Sequence, residues 1–152
     1  MKKLFKLTQD GIDELQSELE KLMSERTEIT ERIKSARELG DLSENAEYAS
    51  ARAVQERNEN RIKDIDHILK NVELIKAPKN GKQVGLGSKV VLSGGNKVKN
   101  FQIVGTVEAD PMNGKISDES PIGKALIGKK VGEQVEIKTP AETSLYKIDS
   151  IG

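Results

Sequence analysis

The sequence predicts an α+β protein with an N-terminal antiparallel two-helix coiled coil, followed by a small C-terminal β-sheet domain with a short helix. The first observation behind this prediction is that apolar residues recur every three or four positions over the first half. The second is that residues 8–76 contain no proline and only two glycines. The third is a change to Gly, Pro, Val and Ile from Ala77 onward. These observations place the two domains at 1–77 and 78–152.

The first helix is predicted to begin after Thr8 and to end before Gly40. Threonine is a favoured N-cap residue, and glycine readily adopts the left-handed conformation that often follows the last helical residue. Between them runs an apolar seam with a single charged member. Its residues are Ile12, Leu15, Leu19, Leu22, Arg26, Ile29, Ile33 and Ala36.

A second seam follows Gly40 with the same alternating spacing of three and four. Its residues are Glu47, Ala51, Val54, Asn58, Arg61, Ile65, Ile68, Val72 and Ile75. If the chain folds back with its turn at residues 39–43, one antiparallel register aligns every layer of the two seams. The aligned pairs are Leu15 with Ile68, Leu19 with Ile65, Leu22 with Arg61, Arg26 with Asn58, Ile29 with Val54, and Ile33 with Ala51.

The C-terminal half contains four segments with the composition and partial alternation of β-strands. They are residues 88–93, 100–107, 133–139 and 144–151. Residues 120–126 predict a short helix, with Ser120 as its N-cap and Pro121 at its first position. Residues 77–87 have the composition of a linker. The predicted core consists of Val90, Leu92, Ile103, Val104, Leu126, Val135, Ile137 and Ile148.

The composition excludes several kinds of protein. Its 152 residues carry 25 basic and 25 acidic side chains, which argues against a general nucleic-acid coat protein. The absence of cysteine excludes a disulfide framework and a thiolate zinc site. The apolar start is too short for a signal peptide or a membrane span, so we expect a cytoplasmic protein that does not enter a membrane.

The stretch "ELGDLSENAEYASAR" (38–52) concentrates acidic residues at the predicted turn. Asp41 followed by Glu44 has the spacing of a capping box, with Asp41 as the cap of the second helix. Alternatively, the two carboxylates could share a magnesium ion whose other ligands belong to a partner, since Mg²⁺ is usually held by one or two carboxylates plus substrate phosphates. The two roles do not exclude each other.

The segments "ARELGDLSENAEYASAR" (36–52), "RIKDID" (61–66) and "SPIGKALIGKKVGEQVEIKTP" (120–140) resemble the bacterial transcript cleavage factors of the GreA/GreB family. The resemblance covers almost the whole chain and implies an FKBP-like fold for the C-terminal domain. It also implies that this domain docks on bacterial RNA polymerase while the coiled coil reaches down the secondary channel. There the factor stimulates the polymerase to cleave backtracked nascent RNA. The implied protein is an accessory factor rather than an enzyme, and we expect it to act as a monomer.

Carried over by position in the motif, the catalytic acids are Asp41 and Glu44, which would hold Mg²⁺ jointly with the polymerase and bind none stably alone. Asn45 and Tyr48 would position water or RNA. Arg37 and Arg52 would contact phosphates of the extruded RNA, or would pair with Glu38 or Glu56 on the helix surface.

Three alternatives stay open at this level. A Gre-like inhibitor of the same channel has a denser acidic tip than this chain. A coiled-coil chaperone or prolyl isomerase predicts an apolar tip or an aromatic pocket, whereas the only aromatic residues here are Phe5, Tyr48, Phe101 and Tyr146. A structural spacer would use the tip acids only as caps. Within the family, the small basic face of the predicted coiled coil favours the GreA type over the GreB type.

Overall fold

A computed structural model of the chain describes residues 4–41, 45–76, 81–138, 140–141 and 143–152. The chain packs as two compact units, one formed by Met1–Gly11 with Val72–Gly152 and the other by Ile12–Asn71. Composition had placed the boundary at 77/78. The boundaries differ because a short strand β1 (Phe5–Leu7) pairs in parallel with β2 (Val72–Leu74). This pairing joins the first residues of the chain to the residues that follow the helices.

The helical unit is a hairpin of α1 (Gln9–Arg37) and α2 (Ala46–Lys70). With 29 residues, α1 is about 43 Å long. Thr8 caps α1 as predicted, because its Oγ1 accepts a 3.1 Å hydrogen bond from the backbone N–H of Gly11. The predicted second seam runs too far, since α2 ends at Lys70 and Val72 lies in β2.

The tip-side layers of the predicted seam are confirmed, but the layer predicted to align Arg26 with Asn58 is not, because Arg26 is exposed. Ile29, Ile33 and Ala51 form one buried cluster, against which Val54 and Tyr48 pack. Tyr48 therefore takes the place that the spacing had assigned to its neighbour Glu47, which is exposed.

Nearer the root of the hairpin, the seam position predicted for Arg61 is occupied by Ile62. Ile62 is buried, whereas Arg61 is exposed and forms a bidentate pair with Glu18 across the hairpin, both contacts being 2.9 Å. The predicted alignment of Leu22 with Arg61 is therefore wrong. A strict heptad cannot follow the seam here, because the step of four from Val54 to Asn58 is followed by a second step of four to Ile62 and then by two steps of three to Ile65 and Ile68.

The other two polar residues of the seam have separate partners. Arg26 lies at the exposed flank and binds Glu59 through two contacts of 2.8 and 2.9 Å. Asn58 is buried, and its side-chain amide donates to the carbonyl of Leu22 at 3.2 Å. Of these three polar residues, only Asn58 therefore lies inside the seam. Its hydrogen bond to the Leu22 carbonyl favours one register of the two helices.

The larger unit contains a five-stranded sheet. Its strands are β3 (Lys89–Gly94), β4 (Lys97–Val104), β5 (Lys115–Ser117), β6 (Gln134–Lys138) and β7 (Thr143–Ile151). The strand order is β5-β4-β3-β7-β6, and neighbouring strands are antiparallel except β4 and β5, which are parallel. The four predicted strands correspond to β3, β4, β6 and β7 with shifted ends, and β5 was not predicted.

The short helix α3 (Pro121–Leu126) is confirmed, with the hydroxyl of Ser120 accepting from Gly123 N–H at 3.1 Å. Every predicted core residue is buried, and Val84, Ile116 and Tyr146 are buried with them. The linker predicted at residues 77–87 begins outside the described residues, and from residue 81 onward the prediction is wrong. Val84 is 3% exposed and its N–H bonds to the carbonyl of Lys129, so this segment packs into the domain.

A buried carboxylate holds the residue that caps α1. The side chain of Glu108 is 3% exposed and accepts from both the backbone N–H of Thr8, at 2.8 Å, and the hydroxyl of Thr8. Lys115 Nζ lies 3.9 Å from the same carboxylate. Glu108 thus holds Thr8 within the sheet unit, to which both residues belong.

Candidate functional site: the tip of the helical hairpin

The start of α2 is set by Asn45, not by Asp41. Asn45 has an extended backbone, and its side-chain oxygen accepts from the backbone N–H of Tyr48 at 3.1 Å. The predicted capping box is therefore wrong, because the third helical position is Tyr48 rather than Glu44. Asparagine is among the strongest N-cap residues, and this preference was the sequence signal that would have found it.

The nitrogen of the same side-chain amide contacts the end of α1. Asn45 Nδ2 donates to the main-chain carbonyl of Ala36, which also accepts from Leu39 N–H at 3.2 Å. Both lone pairs of that carbonyl are thereby used, and one side chain links the ends of the two helices. The predicted role of Asn45 in positioning water or RNA stays a prediction, but its side-chain oxygen and nitrogen each have a partner within the hairpin.

A second contact crosses the hairpin next to it. The guanidinium of Arg37, the last residue of α1, lies 5.8 Å from the centroid of the Tyr48 ring. Tyr48 is half-buried and also packs on the cluster around Ala51. Both residues had been predicted to contact RNA or polymerase, and the structure places them together. Arg37 itself is exposed.

The connection between the helices displays an acid to solvent. Gly40 has a φ of 127°, in the left-handed region that favours glycine, although α1 ends three residues before it. Asp41 follows directly and is exposed. Glu44, the second predicted acid, lies outside the described residues, so its placement relative to Asp41 stays a prediction.

Arg52 lies one and a half turns into α2 and is exposed. Its Nη1 donates to Gln55 at 2.7 Å, on the outer surface of the helix. The contacts seen for the two predicted arginines are thus Tyr48 and Gln55, rather than the acids Glu38 and Glu56 that spacing had suggested.

The acid at the tip fits a magnesium ion in donor type but does not form a complete site. An exposed carboxylate is the ligand that Mg²⁺ takes from proteins when phosphates and water supply the remainder. Within the part of the chain that the structure describes, no group of three or more His, Cys, Asp or Glu residues could hold a metal ion. Asp41 could therefore contribute to a shared site and could not make one by itself.

Both halves of the chain match one class of protein, the transcription elongation factors. Residues 5–74 match the family described as "Transcription elongation factor, N-terminal", and residues 78–152 match "Transcription elongation factor, GreA/GreB, C-term". The chain therefore belongs to the GreA/GreB family.

Individual relatives are similar over nearly their whole length. Transcription elongation factor GreA of Acholeplasma laidlawii is 50% identical over 141 residues, covering 91% of this chain and 89% of the relative. The GreA of Bacillus subtilis is 44% identical over 153 residues, covering 98% and 97%. Among solved structures, GreA factor homolog 1 of Thermus thermophilus is 29% identical, covers 99% of both chains and has a TM-score of 0.45.

Among the described residues, no helix combines the length and the apolar character needed to cross a membrane.

Proposed function

We propose that this chain binds bacterial RNA polymerase, places the tip of its hairpin in the secondary channel, and stimulates the polymerase's own cleavage of backtracked nascent RNA. Membership of the GreA/GreB family supports a role in transcription elongation. The observation that carries the finer proposal is the position of Asp41, exposed in the connection between two long helices while another residue caps α2.

In this mechanism the chain supplies side chains to a site that belongs to the polymerase. The carboxylates of Asp41 and Glu44 would hold magnesium jointly with polymerase residues, and one of them would accept a hydrogen bond from the attacking water. Magnesium, when bound there, stabilises charge on the attacking and leaving oxygens of the phosphodiester. Because the polymerase holds the rest of the site, the isolated factor is not an enzyme.

The basic side chains near the tip have a separate role. Arg37 and Arg52 are both exposed, and a guanidinium binds phosphate oxygens through paired N–H donors. Contacts of this kind would hold the extruded RNA strand in register without reading its sequence. The β-sheet unit is proposed to dock on the outside of the polymerase.

The test uses polymerase halted and backtracked on RNA labelled at its 3′ end, with magnesium present. The wild-type chain is expected to release short 3′ fragments. Asp41→Asn and Glu44→Gln should bind the polymerase with unchanged affinity and lose cleavage by about a hundredfold or more, the size of effect seen when one group that stabilises transition-state charge is removed. Binding is measured by competition with labelled wild-type factor.

Glu38→Gln and Glu47→Gln are matched controls, because both positions are exposed acids that flank the tip. They should cleave at nearly the wild-type rate. If the wild-type chain binds and slows the polymerase without releasing RNA, the chain is an inhibitor of the same channel and the cleavage proposal fails. If it does not bind, the partner is wrong.

A further inference from the structure

The side chain of Asn45 hydrogen-bonds to the backbone of both helices at the tip. Its oxygen accepts from Tyr48 N–H in the first turn of α2, and its nitrogen donates to the carbonyl of Ala36, one residue before the end of α1. Its own carbonyl accepts from Ala49 N–H at 3.1 Å, the first hydrogen bond of α2. One side-chain amide thus joins the last turn of α1 to the first turn of α2.

Among the strong N-cap residues, asparagine is the one suited to make both of these hydrogen bonds. Aspartate caps a helix equally well, but an ionised carboxylate has no hydrogen to donate to the Ala36 carbonyl. Serine and threonine also cap, but their hydroxyl lies one bond closer to the backbone than the amide nitrogen, so a hydroxyl that accepts the cap bond at this position is expected not to reach the Ala36 carbonyl. Asparagine alone among the strong N-cap residues carries an acceptor and a donor on the same planar group.

The residues beneath this link are packed. Ala36 is 4% exposed and Ala51 is fully buried, and Ile33 lies in the same cluster as Ala51. The contact between Arg37 and Tyr48 joins the same two helix ends. The link therefore joins two helix ends that are held by packed side chains.

We propose that Asn45 is a positioning residue, which links α1 to α2 so that Asp41 is presented in a fixed direction. The proposal rests on the cleavage function proposed above. It assigns Asn45 no contact with RNA or with the reacting atoms. A group that must be placed to within about 1 Å loses rate steeply when its support loosens. The link therefore acts on the rate of cleavage and not on docking.

The first experiment compares Asn45→Ser with Asn45→Ala. The serine variant keeps the cap of α2 and loses the bond to Ala36, whereas the alanine variant loses both. At saturating factor, cleavage by Asn45→Ser is expected to fall about tenfold or more. The factor concentration that gives half the maximal rate should change by less than about twofold. Asn45→Ala should lose at least as much rate and should also melt at a lower temperature.

The second experiment measures the link without polymerase. The chain has no cysteine, so Ser35→Cys and Glu47→Cys give two unique sites for spin labels at exposed positions on either side of the link. The distribution of label distances is expected to be narrow in the wild-type background and broader in Asn45→Ser.

The outcomes separate the two proposals. A serine variant that cleaves at the wild-type rate, or that keeps a narrow distance distribution, overturns the positioning role. A serine variant that loses binding in proportion to rate overturns it as well, because the defect then lies in docking. If the wild-type chain fails to cleave, the proposed function fails and the positioning role fails with it, even where the distances show that the link exists.

Discussion

Arg37 and Tyr48 are in direct contact, with the guanidinium 5.8 Å from the ring centroid, so the last residue of α1 touches the first turn of α2. A guanidinium over an aromatic face is attracted by the ring quadrupole, by about 0.5–1 kcal/mol at an exposed site. Tyr48 also fills the end of the buried seam. Tyr48 thus makes apolar contacts in the seam and also has the charged side chain of Arg37 beside its ring.

Tyr48→Leu should lower the free energy of unfolding of the hairpin by about 1 kcal/mol, through loss of the ring and of its contact with Arg37. Tyr48→Phe keeps the ring face and should be close to wild type. Thermal and urea unfolding followed by far-UV circular dichroism measures both. Equal losses for the leucine and phenylalanine variants would show that the hydroxyl, rather than the ring, matters.

Glu108 and Thr8 offer a double-mutant cycle within the sheet unit. Glu108→Gln keeps the shape of the side chain but weakens an acceptor that binds both the N–H and the hydroxyl of Thr8. Since hydrogen bonds to a charged group contribute about 1.5–3 kcal/mol, Glu108→Gln and Thr8→Val should each destabilise by that order. Their combined effect should be clearly smaller than the sum of the two. Glu119→Gln, at an exposed position, serves as the control.

The pair between Glu18 and Arg61 predicts a small dependence of stability on pH. The hydrogen bond from Arg61 lowers the pKa of the Glu18 carboxyl below its ordinary value. A lowered folded-state pKa adds stability above the unfolded pKa, and that stability is lost as pH falls through the folded pKa. Because the two side chains are 39% and 44% exposed, the effect should stay below about 1 kcal/mol.

Urea unfolding at about pH 6 and about pH 3 measures this contribution. Glu18→Gln should remove part of the difference between the two conditions. Glu20→Gln, on the exposed surface of the same helix, should leave the difference unchanged. A Glu18→Gln variant with the full wild-type pH dependence would contradict the assignment.

Gly123 is predicted to tolerate no side chain. A Cβ at this position would lie 2.0 Å from the carbonyl oxygen of Ser117, which cannot move without displacing β5. Gly123→Ala should therefore destabilise the sheet unit by about 1–3 kcal/mol, although alanine is the better helix former. Lys124→Ala, at an exposed position of the same helix, should be nearly neutral. Guanidinium unfolding of the two variants gives the comparison.

Periodicity predicted the parts of this fold in which burial repeats regularly. The cluster of Ile29, Ile33 and Ala51 and the core residues of the sheet follow from it, because one face of each element is apolar. It failed where the repeat changes. Arg61 occupies a heptad position, but its long polar side chain is better solvated at the flank, and Ile62 takes the buried place.

Contacts between residues distant in sequence could not be predicted from one chain. The pairing of β1 with β2 joins segments of three residues each, too short to show alternation. The bonds from Thr8 to Glu108 link residues 100 positions apart. At the tip, resemblance to the family's motif predicted the roles of Asp41 and its neighbours. It did not predict that Asn45 caps α2 and links it to α1, because that depends on where α2 begins.

The pairing of β1 with β2 determines how the protein can be divided for biochemistry. A fragment beginning at residue 78 would keep the five-stranded sheet but would lack both short strands, and Glu108 would keep its buried carboxylate without Thr8. Such a fragment is expected to be poorly stable or insoluble. The compact sheet unit is discontinuous, so a fragment that joins residues 4–11 through a glycine-rich linker to residues 72–152 is expected to be more stable. Limited proteolysis should likewise leave the N-terminal peptide bound to the C-terminal fragment after α1 has been cut.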